Sequence, residues 1–173
     1  MVRKINIVGG GSQTNKNGLE FEERTHLIDA LNANPNFTVN VNEILKEGKV
    51  IAHYYEKHKL YRNFLLPNGV DYRKFISKQL LPDGVIIVGK TVYIIEKKFQ
   101  NGGGSVDEKI QTCDFKKKQY TKLFDPLDMK VEFYYVLSDW FNNPKNKDVF
   151  DYIRSVGCDY FFEELPLNMI GLE

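Results

Sequence analysis

Three charged residues near the middle of the chain have types and spacing suited to chemistry. Asp83 follows Pro82, twelve residues pass, and Glu96 and Lys98 then close an apolar run. The stretch is "PDGVIIVGKTVYIIEKKFQ", residues 82–100. Val85-Ile86-Ile87-Val88 and Thr91-Val92-Tyr93-Ile94-Ile95 are both rich in β-branched residues, and Gly89-Lys90 between them suits a type II′ turn with glycine first. In such a hairpin the 88–91 pair extends to 84–95, so Asp83 falls opposite Glu96, and opposed residues share a face with Cβ atoms ~5 Å apart. Glu96 and Lys98 also share that face, about 6.6 Å apart along the strand, while Lys97 points the other way. Two carboxylates and one ammonium therefore converge. Charges at the end of an apolar strand are costly to bury unless they are paired or bind a metal.

Two carboxylates with an open position hold Mg²⁺ through oxygen ligands and leave room for water and a phosphate. Such an ion polarises a phosphodiester and lowers the pKa of a bound water. A lysine beside it orients that water or stabilises charge growing on phosphate oxygens. The plain alternative is a turn-proximal aspartate and a solvated ion pair of little energetic weight.

The elements around the hairpin decide between these readings. "LEFEERTHLIDALNAN" (19–34) reads as a helix ended by Asn34-Pro35, with Leu27, Ile28 and Leu31 on one face. "NFTVNVN" (36–42) alternates as a strand does, and "KVIAHYYEKHKLYRNF" (49–64) is assigned to helix. "DYRKFISKQL" (71–80) is basic and aromatic without a clear conformation. After "NGGG", Ser105-Val106-Asp107-Glu108 forms a capping box that opens a helix lined by Val106, Ile110, Cys113 and Tyr120. "KVEFYYVLS" (130–138) reads as a buried strand, reached by a right-handed crossover and so parallel to strand 91–98. A helix over 147–157 with Gly157 at its end and a last short strand in "CDYFFEEL" complete an α/β three-layer pattern.

With this order in place, the chain resembles the PD-(D/E)xK nuclease superfamily, which includes many type II restriction endonucleases, Holliday-junction resolvases and repair nucleases. Pro82-Asp83 and Glu96-Lys97-Lys98 carry the motif, and Gln100 extends it to ExKxQ. The helix-strands-helix-strand order from residue 19 to 138 is similar to that family's αβββαβ core, and "GSVDEKIQT" (104–112) looks like the segment after its core strand. A second E-x-K, Glu47-Gly48-Lys49, has no such setting. The resemblance covers about two thirds of the chain. It implies a restriction-endonuclease-like fold, a mixed central sheet flanked by helices. Asp83 and Glu96 are then metal ligands, Lys98 is the catalytic lysine, and Gln100 holds the phosphate or the lysine. Glu22, on the first helix, joins the metal site, with Glu20 and Glu23 as rivals. The implied reaction is Mg²⁺-dependent hydrolysis of a DNA phosphodiester, leaving 5′-phosphate and 3′-hydroxyl ends.

The 173 residues suit a single domain, with residues 43–80 an insertion beyond the minimal core. Charge is uneven along the chain. Segments 43–79 and 90–122 each carry net +4, and 123–173 carries net −6, a pattern that fits a polyanion on one side. Lys109, Thr112, Lys116 and Gln119 share a helix face that could touch phosphates. In the insertion, Arg62, Arg73 and Lys74 could contact DNA, arginine being the commonest reader of guanine. Its tyrosines are expected mostly to pack it onto the core. A solvated surface is the alternative for these lysines and arginines.

Cys113 and Cys158 are far apart in sequence and form no CxxC pair, so they are expected as idle buried thiols. "GGGSQTNKNG" (9–18) matches neither a dinucleotide fingerprint nor a P-loop. His53 and His58 lack the i, i+4 spacing of a helical zinc pair. No apolar run is long enough for a membrane span, and the N-terminus lacks a signal-peptide pattern, so a cytoplasmic protein is expected.

The expectation is thus a sequence-specific double-stranded DNA endonuclease, acting as a homodimer or as one subunit of a larger nuclease. The rivals are a structure-specific nuclease such as a junction resolvase or repair enzyme, and an inactive DNA-binding subunit. The acidic C-terminal part with its apolar "FFEELPLNMIGL" tail is the candidate contact surface.

Overall fold

The computed structural model describes residues 18–21, 25, 27–101 and 106–172. Among these, seven strands form one mixed sheet in sequence order. Strands β1 (Phe37–Asn40), β2 (Glu43–Lys46), β3 (Lys49–Tyr55), β4 (Gly84–Val88) and β5 (Thr91–Lys98) make an antiparallel meander. β6 (Lys130–Leu137) and β7 (Asp159–Phe162) continue it in parallel. Parallel neighbours need crossovers. The link from β5 to β6 carries α3 (Val106–Ile110) and α4 (Cys113–Phe124), counted after α1 (Leu27–Ala33) and α2 (Lys57–Leu60); that from β6 to β7 carries α5 (Lys147–Ser155).

Alternation along the strands divides the apolar residues into two cores. Val85, Ile87, Val92, Ile94, Val131, Phe133, Tyr135 and Leu137 face α4 and α5, whose Cys113, Tyr120, Leu123, Phe124 and Ile153 meet them. Ile44, Ala52, Ile86, Ile95 and Val136 face the other way, against Leu27 and Leu31 of α1. Helices thus cover both faces of the sheet, an arrangement compatible with a three-layer fold. The two cysteines are buried, free, and close enough for their thiols to interact. Among the described residues, no helix is long and apolar enough to cross a membrane.

The hairpin is as expected. Val88 pairs with Thr91 and Gly84 with Ile95. Gly89 has φ +55° and Lys90 is not left-handed, as glycine in the first turn position requires. The first helix is partly seen: residues 18–21 are helical and α1 ends at Ala33, before Asn34-Pro35. Glu22, Glu23 and the capping serine Ser105 lie outside the described residues.

The helix expected over 49–64 is corrected. Lys49–Tyr55 is strand β3, and helix begins only at Lys57, followed by a π-helical turn, Tyr61–Leu65. Val50, Ile51, Tyr54 and Tyr55 suit a pleated surface, and β3 finds partners on both sides, β2 and β4. That double pairing overrides the helical reading of the residues. Residues 43–55 are therefore part of the sheet rather than an insertion on it. Residues 57–80 form a cap whose Leu60, Tyr61, Leu65, Val70 and Ile76 are buried in the first core. Tyr54, Tyr55 and Tyr61 are buried as expected of packing tyrosines. The Tyr61 hydroxyl bridges to Leu80, donating to its carbonyl (2.7 Å) and accepting from its N–H (3.0 Å).

Part of the apolar tail packs inward. Ile170 and Leu172 are fully buried in the second core, with Leu165 and Leu167 packed beside them. They share that core with Ile86 of β4, Ile95 of β5 and Val136 of β6. Leu172→Ala is expected to destabilise the fold by about 2–4 kcal/mol, measured by urea unfolding.

The β1–β2 turn is strained. Val41 opens the two-residue β1–β2 turn at φ +52° and is 94% exposed. A β-branched residue is disfavoured there, and asparagine tolerates this conformation. Val41→Asn is expected to stabilise by about 0.5–1 kcal/mol, read as a higher urea midpoint at unchanged slope.

Candidate active site

Val92, Ile94, Glu96 and Lys98 lie on one face of β5, and Val85 and Ile87 of β4 share it. Asp83 lies two residues before Val85 and so continues that face. The line of side chains runs from core into charge toward the C-terminal end of β5. Lys97 points to the opposite face, where it lines a cavity of about 350 Å³ with Leu27, Ile95, Val136 and Leu167.

Asp83 is held by the sheet itself. The β4–β5 ladder ends at Gly84 and Ile95. The next ladder donor, the N–H of Lys97, donates to Asp83 Oδ2 at 2.8 Å. The carboxylate takes the place of a backbone carbonyl, which fixes it against β5. Glu96 is the more buried carboxylate, its side chain 6% exposed. Its Oε2 accepts from Lys98 Nζ at 3.0 Å and from Lys116 Nζ at 2.7 Å. Lys98 Nζ also donates to the Lys97 carbonyl at 2.9 Å and lies 3.8 Å from Asp83 Oδ2. The three residues expected to converge do so.

The donor set fits a hard divalent cation. Two carboxylates lie within 4 Å of one ammonium nitrogen, which marks a point that a single cation can share. Asp83 Oδ1 and Glu96 Oε1 take no hydrogen bond among the described residues. Among those residues, no group of three or more His, Cys, Asp or Glu assembles a metal site. Glu22, the expected third carboxylate, lies outside them, and Glu20 is exposed.

Gln100 follows β5 and is buried, 5% exposed. Its N–H donates to Ser138 Oγ (3.1 Å), and its carbonyl accepts from the Ser138 hydroxyl (3.0 Å). This pair ties the ends of β5 and β6 together behind Lys98.

The expected DNA contacts divide. Lys109, Arg62, Arg73 and Lys74 are exposed. Arg73 is clamped on Asp71 (Nη2–Oδ2 2.7 Å), whose carboxyl the guanidinium holds down at about 2. Arg62 and Arg73 share a hollow of about 190 Å³ with Tyr61 and Tyr72. The cap that bears them is joined to the hairpin by Lys57 N–H donating to the Pro82 carbonyl at 2.9 Å, next to Asp83. Lys116 is different. It turns inward to Glu96 instead of standing in a solvent-facing row with Lys109.

Tyr120 was legible in the sequence only as a core residue. It is fully buried, and its hydroxyl has no hydrogen-bond partner among the described residues. Burial pushes its phenol far up, with the charge of Glu96 adding to the shift, so the hydroxyl stays protonated. Its place four residues after Lys116 on one helix was the available signal. No protein-family model, no curated protein and no solved structure matches the chain, so the residues and their geometry are what speak for a function.

Proposed function

We infer that the protein is a Mg²⁺-dependent endonuclease that hydrolyses phosphodiester bonds of double-stranded DNA at a specific sequence, leaving 5′-phosphate and 3′-hydroxyl ends. One observation carries this reading: Asp83, Glu96 and Lys98 meet at the open end of a buried hairpin, with Lys98 Nζ 3.0 Å from Glu96 and 3.8 Å from Asp83. Asp83 and Glu96 would hold Mg²⁺. When bound, the ion supplies a polarised phosphate and a more acidic water. The chain's own groups do the remainder. Lys98 presents protons toward a phosphate oxygen or the attacking water, held in place by the Lys97 carbonyl. The Asp83–Lys97 bond keeps the first carboxylate from turning away. Arg62, Lys74 and Lys109 offer positive charge for the duplex backbone. One such site cuts one strand, so cleavage of both strands of a palindrome requires a twofold pair of chains or a partner subunit.

A second reading is favoured by a specific observation. Residues 43–55 are sheet, which leaves the cap at 57–80 as the part of the expected insertion that lies outside the sheet. That smaller addition suits an enzyme that recognises DNA shape, such as a junction resolvase or repair nuclease.

Digestion of a long, fully sequenced, unmethylated duplex with Mg²⁺, beside an EDTA control and a four-way junction, tests both. Discrete fragments that vanish with EDTA are the expected result. Cleavage of the junction alone would establish the second reading. Cleavage of neither would mean a DNA-binding subunit without catalysis, and the endonuclease reading would fall.

A further inference from the structure

We propose that Lys116 is an exchangeable counter-cation of the site: it neutralises Glu96 when no metal is bound, and a divalent ion must displace it. This rests on the reading of Asp83 and Glu96 as metal ligands.

The observation is one of placement. Three consecutive lysines sit on α4, and each reaches a different partner. Lys118 pairs with Asp114 one turn away, at 2.8 Å and well exposed. Lys117 reaches the Gly157 carbonyl at 2.5 Å and Glu132 at 3.4 Å. Lys116 alone of the three crosses to the cluster, with Nζ 2.7 Å from Glu96 Oε2. It lies three residues after Cys113 and four before Tyr120, both fully buried, so it occupies the inward stripe of the helix. A lysine on such a stripe needs a partner.

The charges balance. Asp83 and Glu96 contribute −2, Lys98 and Lys116 contribute +2, and the four side chains are 6–22% exposed. Without Lys116, the nearly buried Glu96 would keep only Lys98, which it shares with Asp83. With Lys116, a divalent cation enters a neutral cluster rather than an acidic one.

The partners of the two lysines show which yields. Lys98 has the Lys97 carbonyl and Asp83 as well as Glu96. Lys116 has Glu96 alone as its polar partner among the described residues. It is also a flexible side chain, 22% exposed, with a route to solvent. Released from Glu96, its ammonium is left beside the site, where a phosphate is its natural acceptor. An anion that draws Lys116 away therefore favours the metal, and the metal favours the anion, as linkage requires.

The test is Mn²⁺ binding without DNA, followed through the electron spin resonance signal of the free ion. Wild type, Lys116→Met and Lys118→Met are compared. Met approximates the aliphatic stem of the side chain and removes its charge. Lys116→Met is expected to bind Mn²⁺ about fivefold or more tightly, the equivalent of one ion pair no longer opposing the metal. Lys118→Met removes the same charge from the same helix and is expected to match wild type. Lys116→Gln is the second variant, should methionine unfold the chain, with the same expected gain. Equal or weaker binding in the Lys116 variants would overturn the proposal. So would an equal gain in Lys118→Met, which would show an effect of net charge only. Wild-type cleavage of DNA tests the nuclease reading separately. Mn²⁺ binding without cleavage leaves Lys116 to be judged on these affinities, and no Mn²⁺ binding by any of the proteins overturns the Lys116 proposal itself.

Discussion

Lys98→Ala is expected to slow Mg²⁺-dependent DNA cleavage by on the order of 10²–10⁴-fold while leaving the protein folded. Lys98 Nζ is the one group that contacts Glu96 Oε2, approaches Asp83 Oδ2 and is anchored by a backbone carbonyl. Alanine removes the only ammonium that lies between the two carboxylates among the described residues. The carboxylates themselves keep other partners. Asp83 retains the Lys97 N–H, and Glu96 retains Lys116. The loss of stability is therefore expected to be about 1 kcal/mol, since Lys98 is partly solvated and neither acid is left without a donor. Single-turnover cleavage measures the first effect, and urea unfolding of the same preparation the second. Wild-type rates in Lys98→Ala would remove this lysine from the chemistry. A loss of activity matched by loss of the folded state would leave it a structural residue.

The largest effect on stability is expected at Phe133. It sits in the middle of β6, the strand that β5 and β7 flank, and pairs in register with Ile94. Its ring is fully buried and meets Tyr135 edge-on, with centroids 5.2 Å apart and planes at 84°. A strand hydrogen-bonded to neighbours on both sides, with helices over its face, cannot collapse into the space that a lost ring leaves. Phe133→Ala is expected to cost about 3–5 kcal/mol. For a domain of this size that lowers the melting temperature by roughly 6–20 °C. It is also a large part of the 5–15 kcal/mol that holds a typical domain folded. A shifted urea midpoint at unchanged slope is the signature to look for. A cost below about 1 kcal/mol would mean that the site repacks, contrary to the burial seen here.

The meeting of Asp83, Glu96 and Lys98 was legible before any coordinates. Alternation in Val92–Lys98 assigns the face, and a two-residue turn at Gly89-Lys90 assigns the register. Both are local properties, set by a period of two and by the one residue type that adopts φ +55° freely. The parallel placement of β6 beside β5 was legible for a similar reason, because a helix between two strands admits few connections.

Other features depended on contacts between distant segments. Lys49–Tyr55 carries a composition open to helix or strand, and only the two neighbours, β2 and β4, make it a strand. That Ile170 and Leu172 of the tail are core residues is visible only once the second core is known. Lys116 and Lys118 are neighbours of one type, and nothing local says that the first turns inward and the second outward. That choice is made by how α4 docks across β5. By itself, the sequence determined which residues share a face of β5, because backbone geometry does that within a few residues. That Lys116 of α4 completes the site by reaching Glu96, only the tertiary structure decided, because side chains far apart along the chain meet only when helix and sheet pack.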